Sequence, residues 1–84
     1  MKANQFNNLT FDNRSSYVSK NGDFITFKEY YRQKRALYNC DKLLVEAWYS
    51  PIKNEVTRVE LIGHNEALKF YWSSMYIDDL VSLK

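Results

Sequence analysis

The clearest pattern of hydrophobic and polar positions lies in residues 42–62, where two alternating stretches flank a turn. The first stretch reads LLVEAWY from Leu43, and the second reads VTRVELI from Val56. Alternation of β-branched and aromatic residues with polar ones is typical of strands that bury one face. Between the stretches, Pro51 fixes φ for a turn position and Asn54 tolerates the left-handed conformation that lets the chain return. The pattern therefore predicts a β-hairpin.

The register of this hairpin follows from the faces of its two arms. In the preferred register Glu46 lies beside Arg58 and Trp48 lies beside Val56, and both pairs are favourable across strands. A four-residue loop would shift the pairing by one and send the apolar set of one arm to the wrong face, so it is disfavoured. The predicted core face carries Leu43, Val45, Ala47, Tyr49, Thr57, Val59 and Leu61.

A second hairpin is predicted where Asn21-Gly22 separates two strand-like runs, residues 17–20 and 23–25. An Asn-Gly pair is a strong hairpin signal because both residues accept positive φ. The preceding residues 1–16 are polar and rich in asparagine, which favours turns over regular structure. They are predicted to form an N-terminal arm, with a short edge strand over 9–11 as the alternative.

Residues 27–38 have the spacing of an amphipathic helix. Thr26 and Glu29 form a capping-box pattern at its start. The predicted buried side carries Phe27, Tyr30, Tyr31, Leu37 and Tyr38, with Lys34 out of place among them. Another side carries three basic residues at helical spacing, which are Lys28, Arg32 and Arg35.

Residues 66–81 are predicted to form a second helix, capped by Asn65. Because aromatic residues also suit sheets, a strand over 70–77 is the alternative. One face of the helix is apolar except for Asp79, which is expected to pair with Lys34 because a lone charge facing a core is unfavourable. A second apolar stripe carries Phe70, Ile77 and Val81.

These elements predict a small α+β domain over residues 17–84, in the order β-β-α-β-β-α. An antiparallel sheet built from the two hairpins would carry both helices on one face, which gives two layers. The length of 84 residues suits a single domain.

Candidate chemistry is sparse in this sequence. Cys40 is its only cysteine and His64 its only histidine, so neither a disulfide nor a clustered His/Cys metal site is available. Two glycines do not supply a phosphate-binding loop. These observations predict no enzyme, no cofactor and no small-molecule substrate. The single cysteine and the lack of a long apolar run predict a cytoplasmic or other reducing intracellular location, without membrane insertion.

One short run resembles a known family. Residues 26–34 read TFKEYYRQK, which is similar to the aromatic-basic helix of PAZ domains, proteins that hold RNA 3′ ends. The resemblance covers nine residues, and Arg35 stands where a tyrosine usually follows in that family. The function of the family is not carried over to this chain.

The leading functional hypothesis is a non-enzymatic protein-interaction module of the accessory-subunit, inhibitor or adaptor type. Aromatic residues make up 17% of the chain, which is more than a core of this size can fully bury. A protein partner, or a second copy of the chain, is therefore expected at an aromatic-rich surface. The candidate partner interface is Phe70, Ile77, Val81 and Trp48.

The alternative hypothesis is a nucleic-acid-binding domain. The net charge is only +2, but residues 28–35 hold four basic side chains against one acidic one. Phosphate backbones attract such a cluster, and a neighbouring tyrosine offers a stacking surface. The candidate nucleic-acid contacts are Lys28, Tyr31, Arg32 and Arg35.

Overall fold

The computed structural model describes residues 1–72, and of Tyr30 only the backbone. Within this part of the chain, two helices precede four strands and a third helix follows them. The coarse prediction of a small α+β domain with an antiparallel sheet is confirmed, whereas the predicted element order is not. The elements are α1 (Ala3–Asn7), α2 (Phe11–Asn21), β1 (Asp23–Tyr30), β2 (Gln33–Cys40), β3 (Leu43–Ser50), β4 (Glu55–Leu61) and α3 (His64–Tyr71).

The predicted hairpin at Asn21-Gly22 is wrong, because residues 17–20 belong to α2. Thr10 caps this helix by accepting a hydrogen bond from the amide of Asn13, at 3.2 Å. Gly22 ends the helix with a negative φ, so no hairpin turn forms there. Its small size serves a close approach instead, since a Cβ would lie 2.6 Å from the carbonyl oxygen of Val18.

Residues 1–16 are consequently not a loose arm or an edge strand, since they form α1 and the first half of α2. Phe6 of α1 is completely buried. Arg14 of α2 ties the two helices to the sheet, because its Nη1 donates to the carbonyl of Val59 at 3.0 Å and its Nη2 donates to the carbonyl of Asn7 at 2.9 Å.

The predicted first helix, residues 27–38, is also wrong, because the chain forms the β1–β2 hairpin there. Thr26 and Glu29 are positions along a strand and not a capping box. Of the predicted buried side, Leu37 is buried, but Phe27 is 50% exposed and Tyr31 is 84% exposed. The turn between the strands consists of Tyr31 and Arg32, both at positive φ.

The β3–β4 hairpin is confirmed together with its core face, but its register is not the preferred one. The disfavoured loop of residues 51–54 is present, with Asn54 at positive φ as expected. A β-bulge between Trp48 and Tyr49 then shifts the register once more. Because the two shifts add to an even number, the apolar sets of both arms return to one face. Trp48 therefore lies opposite Arg58, and Glu46 lies opposite Glu60.

The four strands form one antiparallel sheet in the order β1-β2-β3-β4, with helices on both faces. The predicted two-layer arrangement is therefore wrong, since successive residues of β3 point to different clusters. The front face, under α1 and α2, buries Phe6, Val18, Cys40, Val45 and Val59. The back face, under α3, buries Leu37, Leu44, Ile62, Ala67 and Tyr71.

The second predicted helix is confirmed where it can be followed. Its N-cap is Gly63 and not Asn65, and Phe70 and Tyr71 are helical and not extended. The remainder of the predicted helix lies outside the described residues. The predicted Lys34–Asp79 pair loses its premise, because Lys34 is an exposed residue of β2, while Asp79 lies outside the described residues.

Candidate functional site

Two residues of the predicted partner interface, Trp48 and Phe70, lie on either side of Arg35 on the back face of the sheet. The guanidinium carbon of Arg35 lies 4.2 Å from the ring centre of Trp48 and 3.8 Å from that of Phe70. The arginine is thus held between a strand residue and a helix residue, and both rings are partly buried. Ile77 and Val81 lie outside the described residues, so a role of the four residues in partner binding stays a prediction.

A buried ion pair anchors this stack. Arg35 Nη2 lies 2.7 Å from Glu46 Oε2, and its Nε donates to the same oxygen at 3.0 Å. The hydroxyl of Tyr71 also donates to Glu46 Oε2, at 2.7 Å. Burial and this hydrogen bond to a carboxylate raise the pKa of Tyr71 well above its usual value, so it stays a donor. The three side chains join β2, β3 and α3.

Two further cations extend the stack across the sheet. Lys28 Nζ lies 4.9 Å from the Phe70 ring centre and donates to the Phe70 carbonyl oxygen at 2.9 Å. Arg58 lies 5.0 Å from the Trp48 ring centre and pairs with Glu60 at 2.8 Å. Cation–aromatic contacts of this kind are most favourable where water is excluded. The contacts of Lys28 with Phe70 hold α3 against the back face.

The candidate nucleic-acid contacts do not share one helical face, because the predicted helix over residues 27–38 is replaced by the β1–β2 hairpin. Lys28 and Arg35 are directly opposite each other on the back face, where Phe70 covers both. Tyr31 and Arg32 form the exposed β1–β2 turn. The run that resembles a PAZ helix thus folds as a hairpin, so the helix that the resemblance implies does not form.

On the front face, α1 and α2 leave part of the sheet uncovered. The uncovered residues are apolar and come from all four strands, so we refer to them as the apolar strip. Phe24 is 57% exposed, Phe27 is 50% exposed and Val56 is 40% exposed. The apolar strip consists of Phe24, Phe27, Ala36, Tyr38, Ala47 and Val56.

A β-bulge explains why two phenylalanines of β1 share the apolar strip. Residues three apart in a regular strand point to opposite faces. The bulge between Phe24 and Thr26 changes this, so that Phe24 pairs with Tyr38 and Phe27 pairs with Ala36. Tyr38 and Ala36 are two residues apart and share a face. The Phe24 and Tyr38 rings meet edge to face, 5.7 Å apart.

The apolar strip borders a groove of about 360 Å³ beside α2. Tyr38, Ala47 and Val56 contribute to its sheet side, and small residues of α2 and its C-cap form the opposite wall. Ser15, Ser19 and Gly22 are the small residues in this wall. Small side chains on both sides leave room for side chains of a bound molecule.

The two edges of the sheet differ. At the β4 edge, α1 and α2 pack nearby and Arg14 uses the carbonyl of Val59. At the other edge, β1 pairs with β2 alone within residues 1–72. The apolar strip therefore reaches the β1 edge of the sheet.

Sequence reasoning missed the apolar strip because it assigned Phe27 to the buried side of a helix and Phe24 to a short hairpin. Residues 27–31 read FKEYY, which does not alternate between apolar and polar positions, so no local pattern indicated a strand there.

Other candidate chemistry can be stated briefly. Cys40 is a free, buried thiol whose pKa is raised to about 11, chiefly by burial and further by the nearby Asp23. Residues 1–72 contain no cluster of three His, Cys, Asp or Glu side chains suited to a metal ion. In the same range no helix has the length and apolar character needed to cross a membrane. Comparison with protein-family models, curated proteins and solved structures finds no match for this chain.

Proposed function

We propose that this chain is a non-enzymatic protein-interaction module that binds a protein partner through the apolar strip. One observation carries the proposal: Phe24, Phe27 and Val56 lie on a single sheet face and are each at least 40% exposed. Contiguous exposed apolar surface on a small protein is typical of an interaction site. Its position on the strands of the sheet keeps the geometry of the surface fixed before binding.

The charges around the apolar strip favour a protein over a polyanion. The Nζ atom of Lys34 lies 5.8 Å from the centre of the Phe27 ring. Glu29 of β1 is directly opposite Lys34 of β2. A rim with charges of both signs around an apolar centre is the usual anatomy of a protein–protein interface. A nucleic-acid surface carries an excess of positive charge instead.

The accessory-subunit, inhibitor or adaptor type remains our proposal for the class of module. A reducing intracellular compartment is also proposed, because the single thiol, Cys40, is buried and free. Trp48 and Phe70 stay predicted contacts on the back face, where their rings are partly exposed on either side of Arg35.

Nucleic-acid binding is the second candidate, and one observation favours it. Tyr31 is 84% exposed at the tip of the β1–β2 hairpin, next to the exposed Arg32. An aromatic ring beside a guanidinium can stack on a base while the cation meets a phosphate. This surface lies at the end of the hairpin and is separate from the residues that carry the leading proposal.

Quantitative affinity capture from the native cells separates the two candidates. The strip variant carries Phe24→Ser and Phe27→Ser, and the matched control carries Ile52→Ser, which changes a residue that is 76% exposed in the β3–β4 loop. We expect a captured protein that the strip variant loses and the control retains. Equal capture by all three chains contradicts the proposal.

The hairpin-tip variant, Tyr31→Ser with Arg32→Ser, tests the second candidate. If the tip contacts nucleic acid, this variant weakens the binding of labelled single strands and reduces its salt dependence. Unchanged binding, or no binding by the wild type at low salt, removes the second candidate.

A further inference from the structure

We infer that the partner of the apolar strip contributes an amphipathic α-helix, which lies along the strip beside α2. This inference rests on the proposed function, because it states which kind of protein surface binds there. The bound helix fills the part of the front face that α1 and α2 leave uncovered, and so completes the helical layer on that face.

The apolar strip crosses the sheet diagonally. Phe24 of β1 pairs with Tyr38, which is level with Val45 of β3. Val56 of β4 pairs with Tyr49, four residues further along β3. With neighbouring strands about 4.8 Å apart, these offsets make the strip roughly 20 Å long. A helix of about 13 residues spans this length at a rise of about 1.5 Å per residue.

The helix α2 follows the same diagonal beside the strip. Near its start, Arg14 donates to the carbonyl of Val59 on β4. At its end, Gly22 lies against Cys40 of β2, because a Cβ at Gly22 would be 3.3 Å from the Cys40 Sγ. These two contacts lie at levels four residues apart along β3, in the same sense as the ends of the strip. A second helix on the strip would therefore pack against α2 over its whole length.

The side chains around the groove suit the rounded shape of a helix. Ser15, Ser19 and Gly22 of the α2 wall are spaced so that they lie on one side of that helix. Ala47 and Ala36, directly opposite each other, form the floor at the centre of the strip. Helices pack at about 8–10 Å between axes, and small side chains at the contact favour the shorter distances. The groove of about 360 Å³ thus accepts the larger side chains of a partner helix.

The area of the strip requires that the partner also reach into this groove. A fully buried aromatic side chain contributes about 150–250 Å². Phe24 and Phe27 are 57% and 50% exposed, so each offers on the order of 100 Å². A stable interface needs about 800 Å² from each partner. A flat surface cannot supply the rest, because α2 stands above the sheet by the width of a helix, about 10 Å.

The groups that the strip offers favour a helix over an extended peptide. The strip lies across the face of the sheet, where the backbone groups of β2 and β3 already bond to strands on both sides. An extended peptide on this face would lose the water around its amides without gaining new hydrogen bonds, which is unfavourable. A helix satisfies its backbone groups internally, so it needs only apolar side chains facing the strip.

No helix within residues 1–72 of a second copy has a suitable free face. The outward side of α2 carries Asp12, Ser16 and Lys20, which are all polar and exposed. The apolar side of α3 is already used on the back face, where Ala67 and Tyr71 are buried. The occupant is therefore a helix of a different protein, apolar on the side that faces the strip and polar on the other.

Selection from a displayed library of random peptides, each about 14 residues long, tests this inference. The wild-type chain is the bait, and the selected peptides are synthesised and titrated by fluorescence anisotropy. We expect apolar residues at helical spacing in these peptides, and circular dichroism should show a gain of helix on binding. A proline at the centre of a selected peptide should abolish its binding.

Two serines of α2 provide a matched pair of variants. Ser19 and Ser16 are both exposed on the same helix, but only Ser19 lines the groove. Ser19→Trp fills the groove and should weaken peptide binding at least about tenfold, as should Phe27→Ser on the strip. Ser16→Trp should bind as the wild type does.

Peptides whose apolar residues alternate at every second position, or that bind without a gain of helix, overturn the inference. So do equal affinities of the Ser16→Trp and Ser19→Trp variants, or a library that yields no peptide dependent on Phe27. None of these results affects the capture experiment above. A strip that retains a cellular protein but selects no helical peptide would refute the helix and leave the proposed function standing.

Discussion

Arg35 and Glu46 form a buried ion pair that joins the sheet to the helix on its back face. Their closest atoms are 2.7 Å apart, and the two side chains are only 14% and 6% exposed. Tyr71 of α3 donates to the same carboxylate at 2.7 Å. Because Phe70 and Trp48 cover the guanidinium, water cannot readily replace either partner. The position of α3 therefore depends on this pair.

Removal of one partner should be much more harmful than removal of both. Glu46→Leu leaves the buried guanidinium without its carboxylate, and we expect a loss of about 3–5 kcal/mol in the free energy of unfolding. The double variant with Arg35→Met should recover most of this loss. Urea unfolding measures both values. As a control, Arg58→Met breaks the exposed pair with Glu60 and should lower the free energy of unfolding by only about 0–1 kcal/mol. Additive losses from the changes at positions 35 and 46 would contradict the account.

The N-terminal helices should be essential to the fold. Phe6 is completely buried in the front cluster, so Phe6→Ala should lower the free energy of unfolding by about 3–5 kcal/mol. Phe11→Ala is the matched control, because Phe11 is 44% exposed and the same change there should cost less than about 1 kcal/mol. Equal losses for Phe6→Ala and Phe11→Ala in urea unfolding would mean that α1 does not pack on the sheet.

Stability should decrease with pH in a window set by Cys40. Burial raises the pKa of its thiol from 9.0 to about 11, so the unfolded chain loses the proton first as pH rises. Above pH 9.0 ionisation of the thiol therefore stabilises the unfolded state relative to the folded state, until the folded thiol also ionises at about 11. Cys40→Ala should lose less stability than the wild type across this window, because the raised pKa of Tyr71 acts in both chains and the pKa of Tyr17 is raised in part by Cys40 itself. Parallel curves of unfolding free energy against pH would contradict the assignment.

The β2–β3 turn should be open to stabilisation. Asp41 and Lys42 both have positive φ, a conformation that favours an Asp-Gly pair in a two-residue hairpin loop. We expect Lys42→Gly to raise the free energy of unfolding by up to about 1 kcal/mol, because glycine adopts this conformation without steric cost. Lys53→Gly is the control, since Lys53 is not at positive φ and should gain nothing. A loss at position 42 would contradict the turn geometry.

The β3–β4 hairpin was predictable because its alternation matches its burial. Val45 and Val59 point into the front cluster, and their neighbours point away from it. The exact pairing was not predictable, because the loop shift and the bulge at Trp48 cancel each other in the apolar pattern. A pattern of faces determines register only to within an even number of residues.

The β1–β2 hairpin was missed because its inward positions are not uniformly apolar. Lys28 and Arg35 lie on the back face beneath Phe70, where cation–aromatic contacts take the place of aliphatic packing. Their spacing also suits the polar side of a helix, so the sequence pattern was ambiguous. Gly22 was misread in a similar way, since a glycine that follows a helix and one that follows a strand look alike in a single sequence.

The apolar strip could not be predicted, because it is the part of the front sheet face that α1 and α2 leave uncovered. Phe24 and Phe27 share a face only through the bulge between them, and their exposure depends on where α2 lies over the sheet. Both are tertiary features. Trp48 and Phe70, two of the partner contacts proposed from sequence, lie on either side of Arg35, and their role in partner binding stays a prediction.

Site-specific photo-cross-linking tests the central claim most directly. A benzophenone amino acid replaces Phe27 in one chain and Ile52 in another, and both are irradiated in the native cells. We expect position 27 to cross-link to a specific protein, or to a second copy of the chain, and position 52 to give no such product. If position 27 gives no cross-link to protein, or gives the same products as position 52, the apolar strip is not a protein-binding surface.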